Sequence, residues 1–312
     1  MSSNSTNQTN QTLSILLFFL LIVSCQFKQD KPEVSEEITP GTMDTSSDEE
    51  DEIIAAVENI LRAAGNYDLE ELDSLTSDKA VIGYTRERDG EWKNTEVTIN
   101  EYIESIKKRE LRPYIEIVSD YDIIVTEGHM ALVRADAVVN RFGMPGLREV
   151  NHMILIKENK QWKLLSIGWT AHEQPEEKRK FDLNIFAQGY AQAWGSKRSE
   201  FVAMFFEEDG RLQVNDGEPA IGRNAISNVA QSFMAKFPDI NVSFDSLVHK
   251  PTGIEFHWTL TGTDSDQNGK GHKVKVSGFE LWTMSDQNLI KDSKGSFSWE
   301  EYNRQLQFGI EN

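Results

Sequence analysis

The stretch Ile254-Glu-Phe-His-Trp-Thr-Leu-Thr-Gly262 puts Ile254, Phe256, Trp258 and Leu260 on one face and Glu255, His257 and Thr259 on the other. That period of two marks a half-buried strand. Runs of similar character surround it, from Val242 to Val248, Val274 to Met284 and Leu289 to Phe297. Upstream the period lengthens to that of helices. One helix runs from Leu183 to Trp194 and stops near Gly195, a short one spans Glu200 to Phe206, and a third carries Ile226, Val229, Phe233, Met234 and Phe237. A strand near Leu212 to Val214 and the turn Gly217-Glu218-Pro219 lie between them. Three helices followed by a strongly bent antiparallel sheet define an α+β domain whose helices cover one sheet face.

The same order occurs earlier in the chain. Ile53, Val57, Ile60, Leu61 and Ala64 form one helical stripe, which Gly65-Asn66 ends. A short helix (Leu69 to Leu75), a strand pair around Ala80 to Thr98 and a third helix (Ile99, Tyr102, Ile103, Ile106) follow. Strands then run from Tyr114 to Thr170, with turns at Glu127-Gly128 and Met144-Pro145-Gly146. The charged, apolar-free segment His172 to Lys180 reads as a linker. An offset of 128 residues lays Met153-Ile154 on Leu281-Trp282 and Gly168-Trp169 on Ser296-Phe297, a duplication of pattern with little identity. Domains are therefore expected at residues 53–171 and 181–306.

Phe206-Glu-Glu-Asp-Gly-Arg-Leu-Gln-Val-Asn-Asp216, Ala220-Ile-Gly-Arg-Asn-Ala-Ile226, Phe237-Pro-Asp239, Phe256-His-Trp-Thr-Leu-Thr-Gly262 and Gly278-Phe-Glu-Leu-Trp-Thr283 occur in that order. Together they resemble the nuclear transport factor 2-like superfamily, and within it the SnoaL-type branch of polyketide cyclases related to ketosteroid isomerase. Residues 53–171 resemble it in element order and in the closing Trp-Lys-Leu-Leu-Ser-Ile-Gly-Trp strand. The resemblance implies two cone-shaped domains, each enclosing a pocket between three N-terminal helices and a curved antiparallel sheet. It places Glu280 where the enzymes carry a catalytic or oxyanion-binding aspartate, Tyr190 at a hydrogen-bonding tyrosine of the first helix, and Asn215-Asp216 near the base aspartate.

Strand alternation puts Glu280 on one face with Gly278, Trp282 and Met284, either as a pocket acid or as an edge residue reaching water. An apolar pocket raises a carboxylic acid's pKa and prepares it for acid or base work. Trp258 reads first as core, and His257 as lining a pocket or a sheet interface. At the 128-residue offset His152 stands opposite Glu280, as a second pocket's titrating group or as a plain surface histidine. Candidate catalytic residues are thus Glu280, Tyr190 and Asp216, and candidate ligand-binding residues His257, Trp258, Trp282, Asn215 and His152.

The chain's 312 residues carry 51 acids against 32 bases and a single cysteine, a net charge of −19 without a basic tract, which disfavours nucleic acid as a partner. One cysteine makes neither an internal disulfide nor a Cys-rich zinc site. The six histidines lack ligand spacing, and no Walker loop, Rossmann fingerprint or Gly-x-Ser-x-Gly elbow occurs, so no metal or cofactor is expected. The apolar run Leu13 to Val23 is too short for a bilayer span and matches the core of an export signal. Ile22-Val23-Ser24-Cys25 resembles a bacterial lipobox, which implies lipidation of Cys25 and a cell-envelope location. Residues 26–52, with ten acids, two lysines and few apolar groups, read as a disordered acidic tether.

These features describe a lipid-anchored protein whose tandem domains bind a small, mainly apolar molecule. A SnoaL-type cyclase, isomerase or hydrolase using Glu280 is the alternative, and a structural interaction module is another. In the last case exposed sheet faces would pair within the chain or between two copies.

Overall fold

The computed structural model describes residues 47–265 and 271–310. The export signal, Cys25 and most of the expected tether lie outside them. The described residues belong to one compact unit, built as two lobes of like design.

The first lobe begins with α1 (Ser47–Asn66), whose stripe Ile53, Val57, Ile60 and Leu61 is buried. It starts before Ile53, inside the stretch expected as tether. Asp48, Glu49 and Glu50 occupy its first turn, where the positive end of the helix dipole favours acids; a charge-based reading counted those acids against folding. There follow α2 (Leu69–Ser74), β1 (Thr76–Arg88), β2 (Glu91–Thr98) and α3 (Ile99–Ile106), the last opened by a reciprocal cap between Thr98 and Glu101. The remaining strands are β3 (Ile115–Thr126), β4 (Met130–Arg141), β5 (Met144–Glu158) and β6 (Gln161–Glu173). The β4–β5 turn falls on Phe142 (φ +51°) and Gly143 (φ +75°) rather than on Met144-Pro145-Gly146. Two successive positive φ angles match the twist of a tight hairpin.

The linker contains a 3-10 turn at Glu176–Lys178. The second lobe then repeats the order with α4 (Leu183–Trp194), α5 (Ser199–Ala203), β7 (Phe206–Val214), β8 (Ala220–Ile221), α6 (Arg223–Lys236), β9 (Asn241–Lys250), β10 (Gly253–Thr263), β11 (Lys273–Met284) and β12 (Ile290–Phe297). A closing helix, α7 (Trp299–Phe308), was not foreseen. Gln305 fastens it to β11 by accepting from Lys275 N at 2.6 Å and donating to Lys275 O at 2.9 Å.

Strand order is β2-β1-β6-β5-β4-β3 in one sheet and β8-β7-β12-β11-β10-β9 in the other. Each sheet is mixed, because β1 runs parallel to β6 and β7 parallel to β12. The expectation of antiparallel sheets missed these pairings, which join the two ends of a lobe and leave no trace in local alternation. Bulges recur at matching places: β3–β4 and β9–β10, β5–β6 and β11–β12, β1–β6 and β7–β12. Each adds local bend and twist, and together they curl both sheets around their helices.

The lobes meet through α4. Gln192 donates to Asn66 Oδ1 (3.0 Å) and Tyr114 O (2.9 Å) of the first lobe, and Phe142 packs edge-on against Phe205. Gly143 lies so close to the second lobe that a Cβ there would stand 2.7 Å from Asp182 O. Among the described residues no helix is long and apolar enough to cross a membrane.

Candidate functional site

On β11 the alternation turns Val274, Val276, Glu280 and Trp282 into the second lobe, all buried. Glu280 is 6 % exposed. Its Oε2 accepts from Tyr190 Oη of α4 (3.1 Å), Trp282 Nε1 (3.0 Å) and Ser293 Oγ of β12 (2.6 Å), whereas Oε1 receives only the same tyrosine at 3.3 Å. Burial raises the carboxyl above its ordinary pKa, while the three donors pull the other way. Burial beside this carboxylate likewise raises the Tyr190 phenol well above its ordinary value. An indole N–H can only donate, so Oε2 stays an acceptor and a proton on this acid belongs on Oε1.

Aromatic rings fix the network. Trp282 stacks on Phe256 at 4.6 Å, and Tyr190 meets both rings edge-on. Edge-to-face pairs add about 0.5–1.5 kcal/mol each beyond area burial. Beside Glu280 lies a cavity of about 50 Å³ with Trp194, Phe233, Trp258, Val276, Phe297 and Tyr302 in its wall. Trp258 brings in the other unusual polar group. Its Nε1–H is buried and finds no acceptor among the described residues. Leu212, Val214, Phe233 and Tyr302 also line a neighbouring groove of about 670 Å³, so these side chains separate the cavity from the outer groove, Phe233 and Tyr302 being the largest of them.

Of the residues singled out in the sequence, Glu280, Tyr190 and Trp282 come together, and Trp258 joins them at the cavity wall. The others lie elsewhere. Asp216 is exposed on the outer groove, and Asn215, at φ +48°, spends its Oδ1 on Phe297 N at 2.9 Å. His257 lies on the outer sheet face, 3.1 Å from Glu255 and tilted against Phe279. His152 is exposed on the outer face of β5. Its pairing with Glu280 rested on the 128-residue offset, which is one residue off. Aligning the β5–β6 bulge with the β11–β12 bulge sets Leu155 on Met284, Met153 on Trp282 and Asn151 on Glu280. A one-residue slip sends every side chain to the opposite face.

Ser293 and Tyr302 were missed. Ser293 was legible by counting in twos from Phe297, whereas Tyr302 lay in an unforeseen helix. Among the described residues no cluster of His, Cys, Asp and Glu is suited to hold a metal ion.

Residues 184–296 match the model of the SnoaL-like polyketide cyclase family. The resemblance read from Phe206 to Thr283 falls inside this match and is borne out by it. No curated protein matches the chain. Among solved structures, the chain is similar to a protein with a ketosteroid isomerase-like fold from Catenulispora acidiphila in complex with trimethylamine (17 % identity, 38 % of this chain and 88 % of that one, TM-score 0.34). It is similar also to a nuclear transport factor 2-like protein of unknown function from Shewanella baltica (20 %, 42 % and 98 %, TM-score 0.33). A third similar structure is the epoxide hydrolase/cyclase-like enzyme SalBIII of pyran-ring formation in the polyether salinomycin (13 %, 36 % and 87 %, TM-score 0.32).

Proposed function

Taking residues 184–296 as a SnoaL-like domain, we propose that the second lobe binds a small, mainly apolar molecule carrying one hydrogen-bond acceptor, in a protein anchored to the bacterial envelope through lipid on Cys25. The cavity carries this reading. Its wall is mainly apolar; the polar groups among its residues are Glu280, whose Oε2 is already saturated from within, the Tyr302 hydroxyl, the Trp194 indole, and Trp258, whose buried Nε1–H has no partner among the described residues. A buried donor left unpaired costs about 1–3 kcal/mol, which a ligand oxygen would recover. An apolar cavity of about 150 Å³ is needed for a benzene ring. A ligand of that size therefore enters the 50 Å³ space only when Phe233 or Tyr302 swings toward the outer groove.

One observation favours acid chemistry as a second reading. Burial raises the Glu280 carboxyl above its ordinary pKa against the pull of its three donors, and a proton taken up there would sit on Oε1, from which it could pass to a carbonyl or epoxide oxygen. Tyr190 would then position the acid. Asp216, exposed on the outer groove, takes no part in this version.

Mass spectrometry of the chain purified from its native membranes tests both parts at once. The native spectrum should carry a stoichiometric small-molecule adduct that denaturation removes and that Trp258→Phe weakens about tenfold. The denatured mass should fit a chain beginning at an acylated Cys25. An unacylated mature chain would end the anchor proposal, and an adduct indifferent to Trp258→Phe would move the ligand out of this cavity.

A further inference from the structure

The first lobe encloses a larger and chemically different cavity, about 170 Å³ between α1, α3 and the sheet. Val242 and Trp258 of the second lobe's cavity wall, and Gly278 paired with Trp258, correspond by the same bulge registers to Glu116, Ala137 and Glu149. Replacing an indole by the methyl of Ala137 opens the space into which two acids can reach. Glu149 is only 9 % exposed, yet among the described residues its carboxylate makes no hydrogen bond or ion pair. Glu116 receives one long hydrogen bond, 3.4 Å from Asn151 Nδ2. Glu116 is half-buried and Glu149 buried; buried charges are ordinarily paired, and Glu149 lacks the partner that would justify it.

The nearby cations act on Glu149 only at a distance: Arg86 and Arg141 lower its pKa by charge, and Arg86 forms no ion pair with either acid among the described residues. Arg141 rests over the Tyr114 ring at 5.3 Å, and Arg109 is exposed with its Nη2 on Ser105 Oγ. Neither forms an ion pair with Glu116 or Glu149 among the described residues. Aromatic groups complete the wall: Tyr67, Tyr102, Tyr114 and Trp169. Carboxylates together with several aromatic rings are the surroundings that attract an organic ammonium, through charge and through the negative faces of the rings. A metal ion fits less well, since two acids amid aromatics offer too few oxygen ligands for magnesium or calcium.

We propose that the first lobe holds a binding site for a small organic cation, an ammonium of about five to eight non-hydrogen atoms by comparison with the cavity that accepts benzene, held by Glu116 and Glu149 among Tyr67, Tyr102, Tyr114 and Trp169. The site is independent of the one proposed in the second lobe. It gives the two lobes ligands of opposite chemistry.

Tetramethylammonium chloride titrated into the full chain tests it, followed by tryptophan emission and by ligand-observed NMR of the methyl protons. Saturable binding is expected, with no competition from tert-butanol, its near-isosteric neutral analogue, and none from tetrabutylammonium, which is too large. Glu149→Gln should weaken binding at least tenfold, and the exposed Glu208→Gln, with the same change of charge, should not. Absence of saturable binding would overturn the proposal, as would equal binding of tert-butanol or unchanged affinity in a folded Glu149→Gln chain. The comparison of ligands on the unaltered chain decides the matter even if Glu149→Gln fails to fold.

Discussion

The two lobes share strand order, three bulge positions and the order of their first three helices, yet they fill the space between helices and sheet in opposite ways. In the second lobe large rings occupy the inward face of β10, and Gly278 on β11 makes room. A Cβ on Gly278 would stand 2.7 Å from Trp258 Cζ2 and 2.6 Å from Ser296 O. In the first lobe the small residues move to β4, as Ala135 and Ala137, and Glu149 and Asn151 of β5 take the space. Cross-strand neighbours thus exchange size while the backbone keeps its course, as a close-packed interior requires. One lobe becomes aromatic with a single self-satisfied acid. Its twin becomes a mixed pocket with two acids that form no ion pair among the described residues.

The largest effect expected from this comparison is at Phe256. Fully buried, stacked on Trp282 and Phe244, it corresponds to Ala135. Phe256→Ala should cost about 3–5 kcal/mol, the usual range for emptying an aromatic core position. Thermal unfolding watched by near-ultraviolet circular dichroism reads the loss. A cost under about 1 kcal/mol would mean that the second lobe tolerates the alanine packing of the first and that the exchange of sizes is incidental.

Sequence alternation disclosed most of this architecture, because inward and outward residues on Ile254–Gly262 and Gly278–Thr283 differ sharply in polarity. It placed Glu280 with Trp282, and the family resemblance added Tyr190. It failed where the first lobe departs from that polarity rule. Glu116, Glu149 and Asn151 were not singled out, since acids and amides on strands ordinarily face water; alternation groups Glu149 and Asn151 with Met153 on β5, but the inward direction of that face comes from the structure. The error at His152 came from insertion lengths. β5 and β11 align at an offset of 129 and β6 and β12 at 126, so no single slide of the sequence superposes both hairpin strands. The parallel β1–β6 and β7–β12 pairings and the docking of α7 are contacts distant in sequence, which local periodicity does not encode.

Next in size is the contrast between Glu280 and Asn151, equivalent positions with unequal duties. Glu280→Leu strands the Trp282 N–H and the Tyr190 and Ser293 hydroxyls, and about 3 kcal/mol should be lost, since the indole can turn to no other acceptor in place. Asn151→Leu removes one 3.4 Å hydrogen bond to Glu116 and should cost about 1 kcal/mol or less. Urea unfolding of both variants measures the difference. Equal losses would mean that the Glu280 network contributes nothing beyond filling space.

The smallest effect is the most specific to the first lobe, because it depends on protons. Burial raises Glu116 to about 8, with the charge of Glu149 adding to the rise, and raises Glu149 to about 7, where Arg86 and Arg141 partly offset it. The Tyr102 and Tyr114 phenols facing the same cavity are themselves raised by burial and stay neutral through this range. An acid whose folded pKa lies above its unfolded value of about 4.3 holds its proton more tightly when folded. The unfolded chain then binds fewer protons between those values, so stability is full below about pH 4 and declines as pH rises through 7 and 8. Urea midpoints taken from pH 5 to pH 8.5 should fall, and the pair behaves as one two-proton unit rather than two separate acids. Glu280 follows the same sign, so the discriminating result is the variant: Glu149→Gln should flatten the decline by removing the repulsion and one of the buried titrations. Saturating tetramethylammonium should flatten it as well, by offering the ionised pair a counter-charge in direct contact, which Arg86 and Arg141 do not provide. A midpoint that rises with pH, or a decline untouched by Glu149→Gln, would mean that the two acids are solvated and that the lobes differ in shape but not in charge.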